Sequence, residues 1–97
     1  MNVVFDFGET RHVRIKIYST ANEIFEVRNA TYTLKKKDSI FFEEEGSCNI
    51  YENIIDIVIS PKEIGEYILK ITYHVADEVL IENIKVVVVW VVLRLQK

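Results

Sequence analysis

The stretch Glu66-Tyr67-Ile68-Leu69-Lys70-Ile71-Thr72-Tyr73-His74-Val75 decides the fold class. Tyr67, Leu69, Ile71 and Tyr73 alternate with Ile68, Lys70, Thr72 and His74, a period of two that belongs to a pleated strand with one buried face. Ala76-Asp77-Glu78 after it reads as a short hairpin turn, and a last strand opens at Val79. Before it, residues 60–65 hold the only proline and form a connection, and residues 53–60 set Ile55, Ile57 and Ile59 against Ile54, Asp56 and Val58.

The same period runs toward the N-terminus. Val13, Ile15 and Ile17 alternate with His12, Arg14, Lys16 and Tyr18, and Gly8-Glu9 separates that strand from a first one over residues 2–7. Residues 22–36 hold two alternating sets, Phe25 and Val27, then Ala30, Tyr32 and Leu34, with a slip of phase near Arg28-Asn29 that predicts a bulge. Lys36-Lys37-Asp38-Ser39 reads as a polar turn, residues 40–45 as a charged outer strand returning from it, and Gly46-Ser47 as another turn. Isoleucine and valine dominate the apolar set and favour strands over helix. About seven short strands at this spacing predict an all-β fold, an antiparallel two-sheet sandwich made as one domain over residues 1–97.

Composition narrows the function. The chain carries 12 basic and 15 acidic side chains, and its one basic run, Lys35-Lys36-Lys37, is followed by Asp38 and then by Glu43-Glu44-Glu45. That balance argues against nucleic acid as a partner, since phosphate binding needs concentrated Lys and Arg. The longest apolar stretch has eight residues, 86–93, against the roughly 20 a membrane-spanning helix needs. No basic segment followed by a long apolar one opens the chain, so the expectation is a cytoplasmic product with no membrane partner.

Catalytic and ligand-binding constellations are weak. His12 and His74 fall on the polar faces of separate strands, with no His-x-His spacing for a metal. Cys48 is the only cysteine and has no histidine near it in sequence, so it reads as a small apolar residue at a strand start. Adjacent Glu43, Glu44 and Glu45 would alternate faces in a strand and read as a solvated edge. Three glycines supply no phosphate-binding loop. No enzyme, cofactor or metal site is therefore expected. Of the adjacent Phe41 and Phe42 one should face out, and with Tyr18 and Tyr51 it could form a contact patch.

Ser60-Pro61-Lys62-Glu63-Ile64-Gly65-Glu66-Tyr67, running on to Tyr73, resembles the crossover and following strand of immunoglobulin-like and fibronectin-type sandwiches. The resemblance implies that Tyr67 fixes the corner by hydrogen-bonding back to the connection. With Asn29-Ala30-Thr31-Tyr32-Thr33-Leu34 and Asp77-Glu78-Val79-Leu80, the pattern is similar to small Ig-like proteins encoded by tailed phages and prophages of Gram-positive bacteria. It implies a non-catalytic structural part associated with a virion or tail. The paired cysteines of antibody domains are missing, and the sole tryptophan, Trp90, lies in the last strand.

The C-terminal run is the anomaly. Residues 79–95 would extend to about 56 Å, against about 17–20 Å for an ordinary strand. Val86-Val87-Val88-Val89-Trp90-Val91-Val92-Leu93 is apolar on both faces, so something beyond a single sandwich should cover it: an N-terminal strand, a symmetric copy or a larger assembly. The expected function is a structural or interaction module that forms a homo-oligomer or larger protein assembly through Val87, Val89, Trp90, Val91 and Leu93, by apolar burial and strand addition. The alternative is a carbohydrate- or surface-binding module using Tyr18, Phe42, Tyr51 and the turn at residues 76–78.

Overall fold

Strand alternation builds two sheets over one core. The computed structural model describes residues 1–21 and 23–91. Among the described residues there is no α-helix, and the strands are β1 Asn2–Asp6, β2 Arg11–Lys16, β3 Val27–Lys36, β4 Glu44–Ser47, β5 Asn49–Tyr51, β6 Ile54–Ile59, β7 Gly65–Val75 and β8 Glu78–Val89. One sheet has the order β1-β8-β7-β3-β4 and the other the order β2-β6-β5.

The core falls where the period of two puts it. Tyr67, Leu69 and Ile71 from β7, Ile55, Ile57 and Ile59 from β6, Leu34 from β3, Phe5 from β1 and Val86 and Val88 from β8 are all buried, and they come from both sheets. Burying side chains of this size contributes about 1.5–3 kcal/mol each before the ordering entropy is set against it. The slip near Arg28-Asn29 is a bulge: the β3–β7 register shifts between Val27 and Asn29.

Several local expectations are corrected. Eight strands are present among the described residues rather than about seven, because residues 49–51 form a short strand. Glu52 and Asn53 then turn it back on β6 with positive φ angles of 49° and 61°. This two-residue turn has the handedness that matches strand twist, but it lacks the glycine that would have announced it. The outer strand expected over residues 40–45 lies further on, at Glu44–Ser47, so Gly46-Ser47 is strand rather than turn. Residues 40–43 stay outside the ladder, and both Phe41 and Phe42 are exposed.

The sheets are not wholly antiparallel, since β1 runs parallel to β8. The β1–β2 connection carries the chain from one sheet to the other, with Gly8 at φ +90°, so β1 joins β8 without a hairpin. β8 therefore lies between β7 and β1 over Lys85–Val88, and the N-terminal strand, one of the three covers expected for the C-terminal run, pairs beside it in the sheet rather than folding over its apolar face.

Candidate interaction surface

Alternation along β8 sends Ile84, Val86 and Val88 into the core, and Lys85, Val87 and Val89 to the outer face of the five-stranded sheet. Val87 is half-buried there, with exposed Val4 of β1 as its register partner on one side and Glu66 of β7 on the other. Past the strand end the apolar character continues: Val89 is 37% exposed, Val91 54% and Trp90 62%. The Trp90 ring lies 4.8 Å from that of Phe7, which is itself partly exposed, and the Phe7 amide donates to the Val89 carbonyl at 2.8 Å. The corner where β1 and β8 end thus gathers Val4, Val87 and Val89 on the outer face of the sheet, the Phe7–Trp90 ring pair at the strand ends and exposed Val91. Leu93, the remaining residue expected here, lies outside the described residues.

A charged rim borders this corner. Glu66 accepts from Lys85 at 2.9 Å and pairs with Lys37 at 3.3 Å. The hydrogen bond from Lys85, then that from Lys37, holds the Glu66 carboxyl below its ordinary range. A polar border around an apolar centre is the usual anatomy of a protein contact.

The backbone edge of this segment is already used. β7 pairs with one side of β8 and β1 with the other over Lys85–Val88, so strand addition has no free edge there. What the corner offers a partner is its face.

Tyr67 does a separate, structural task. Its ring is fully buried at the start of β7, and its hydroxyl accepts the Glu63 amide at 3.0 Å and donates to Glu43 Oε1 at 3.0 Å. Glu43 Oε2 accepts the Lys62 amide at 3.1 Å, and Glu44 Oε2 accepts the Ser60 amide at 2.8 Å. Glu43 and Glu44 are therefore not a solvated edge; they clamp the connection over residues 60–63 to the β3–β4 hairpin. They can converge because Glu43 sits in a bend, outside strict alternation. Burial pushes the Tyr67 hydroxyl up to about 12, with Glu43 adding to the rise and the Glu63 amide opposing it.

The other candidates do not assemble into a site. Tyr18 lines clefts with Ile17, Phe42 lines one with Ile68 and Lys70, and Tyr51 lines neither, so the three rings share no cleft. His12 Nδ1 lies 2.8 Å from Asp56 Oδ1, and Arg14 Nε lies 3.5 Å from the other oxygen. Asp56 is buried under these two side chains on the outer face of the three-stranded sheet, while His12 remains half-exposed. Sequence reading put His12 on a polar face but missed this partner, whose burial no local pattern signals. No hydroxyl or thiol hydrogen-bonds to His12 among the described residues, so the pair has no nucleophile to activate. Burial pushes the Cys48 thiol up to about 11, the wrong direction for a reactive thiolate. Among the described residues no three His, Cys, Asp or Glu side chains are placed to hold a metal ion. No protein-family model, curated protein or solved structure matches the chain.

Proposed function

We propose that this chain is a non-catalytic interaction module, an immunoglobulin-like sandwich that self-assembles through the apolar corner at the ends of β1 and β8. The observation carrying this reading is Trp90, 62% exposed and in tilted ring contact with Phe7, at the same end of the sheet as exposed Val4, Val89 and Val91. Leaving a tryptophan and several β-branched side chains together in water forgoes burial that a contact would recover.

The topology supports the immunoglobulin-like assignment. The order β2-β6-β5 corresponds to strands B, E and D of such domains, and β8-β7-β3-β4 to G, F, C and C′. Tyr67 then opens the F-equivalent strand and bonds back to the connection before it, the position and partner of a tyrosine corner. A place as an accessory of a phage tail or virion is proposed on the sequence resemblance. The carbohydrate-binding alternative has no converging rings in its favour.

Trp90 is the sole tryptophan, so its fluorescence reports directly on the corner. Sedimentation of the full chain across concentrations should show association, with a blue shift of Trp90 emission as it proceeds. Val89→Lys should abolish the concentration-dependent shift of Trp90 emission with its β circular dichroism intact. Trp90 emission unshifted at every concentration, or a blue shift indifferent to Val89→Lys, would overturn the proposal.

A further inference from the structure

β8 is protected along only part of its second edge. β7 pairs with it from Glu78 to Val88, whereas β1 covers Lys85 to Val89. The Lys85 amide donates to the Met1 carbonyl at 3.1 Å and the Val89 carbonyl accepts from Phe7, so odd-numbered residues aim their backbone groups at the β1 side. The same alternation aims Val79, Ile81 and Asn83 outward, where no backbone partner meets them among the described residues. Val79 is 57% and Ile81 51% exposed.

The other edges are blunted. On β1 the Val4 carbonyl is capped by Arg11, the Asp6 amide by Glu9 Oε1 and the Asp6 carbonyl by the Glu9 amide. β4 and β5 have four and three residues, and β2 carries Arg11, His12, Arg14 and Lys16. These are the devices by which sheets avoid unwanted pairing. Residues 78–84 contain neither a basic residue nor a proline.

We infer that residues 78–84 of β8 pair antiparallel with the same segment of a second copy, about a two-fold axis at Ile81. The carboxylates of Glu78 and Glu82 discriminate between registers. With the axis at Ile81, Val79 faces Asn83, Leu80 faces Glu82 and Glu78 faces Ile84, so carboxylates meet only on the diagonal and the whole open edge is used. Moving the axis to Leu80 sets Glu78 against Glu82, and moving it to Glu82 sets that residue against its own copy, both unfavourable. Three outward residues per copy then supply about six hydrogen bonds across the axis, joining two five-stranded sheets into one. This edge is separate from the Val89–Trp90 corner and does not depend on the reading given to it.

The test is register-specific cross-linking in a Cys48→Ala, Val89→Lys background, which silences both the native thiol and the corner. A hydrogen-bonded antiparallel pair places its Cα atoms about 5.5 Å apart, within disulfide reach. Ile81→Cys should form a covalent dimer under mild oxidation at least about tenfold faster than Val79→Cys, which faces Asn83 instead. Ile81→Pro, tested without the cysteine, removes an amide that the β7 ladder does not use. It should raise the dimer dissociation constant about tenfold or more while circular dichroism stays unchanged. Equal cross-linking of the two cysteine variants, or no dimer of Ile81→Cys at millimolar concentration, would overturn the inference. Cross-linking in the Val89→Lys background would uphold it even if the corner proposal fails.

Discussion

Replacing Tyr67 by Phe removes one oxygen and leaves a ring of nearly the same volume, so the cost isolates the corner hydrogen bonds from packing. Two are lost, the amide of Glu63 at 3.0 Å and the carboxylate of Glu43 at 3.0 Å. A neutral bond contributes about 1 kcal/mol and one to a charged group about 1.5–3. Glu43 keeps its bond from Lys62, and Glu63 lies near water, so the sum falls toward the lower end. We expect Tyr67→Phe to cost about 2.5 kcal/mol by urea unfolding with an unchanged m-value, a drop in Tm on the order of 10 °C. A double-mutant cycle with Glu43→Ala should return a coupling of about 1 kcal/mol or more.

The same hydroxyl gives an alkaline signature. Its folded-state pKa is raised from 10.0 to about 12, so the folded protein holds the proton more tightly than the unfolded chain. That stability is fully present below pH 10 and is lost as pH rises toward 12. Burial pushes Tyr32 and Tyr73 the same way, so Tyr67→Phe should shrink the alkaline fall rather than abolish it. A loss below about 0.5 kcal/mol, or an alkaline limb identical in both proteins, would refute the assignment of Tyr67 as a corner clamp.

Two further outcomes follow from the alternation. Val86→Ala should cost about 2 kcal/mol and Val87→Ala about 0.5, measured by denaturant unfolding, because the first empties core space and the second trims an outer face; equal costs would contradict the β8 phase. Cys48, with its thiol pushed up to about 11 from 9.0, should react with iodoacetamide at pH 8 at least about tenfold more slowly in the folded protein than in urea, even after allowing for the greater nucleophilicity of a more basic thiolate.

Sequence legibility tracked the range of the interactions involved. β7 and β6 were readable because their alternation is local and uninterrupted: Tyr67, Leu69, Ile71 and the isoleucines 55, 57 and 59 are buried as their spacing requires. The bulge near Arg28-Asn29 was readable for the same reason, as a break in phase. The roles of Glu43 and Glu44 were not, because their amide partners lie on a connection 16 to 19 residues away and a glutamate run looks solvated until those amides arrive. Likewise, β5 is too short to show a period, and the parallel pairing of β1 depends on which sheet β2 joins. The apolar corner was half legible. The valine run marked it, but Phe7 and Val4 enter only through the β1–β8 register.

That register also explains why β8 changes character along its length. Over Lys85–Val88 it has a strand on each side and carries valines, as an interior strand does, and the backbone there is closed to any partner. Over residues 78–84 it has one neighbour, and Glu78, Glu82 and Asn83 appear among the apolar side chains. A uniformly apolar open edge would accept many extended strands in many registers. Carboxylates at positions 78 and 82 leave the edge available while penalising every symmetric alignment that brings them together, so the charges act as a selector on the contact rather than a bar to it. On this reasoning, removing the charge with Glu82→Gln should leave dimerisation intact but relax its register. The cysteine-accessible position would then spread from Ile81 to its neighbours, an outcome that a purely protective role for Glu82 would not produce.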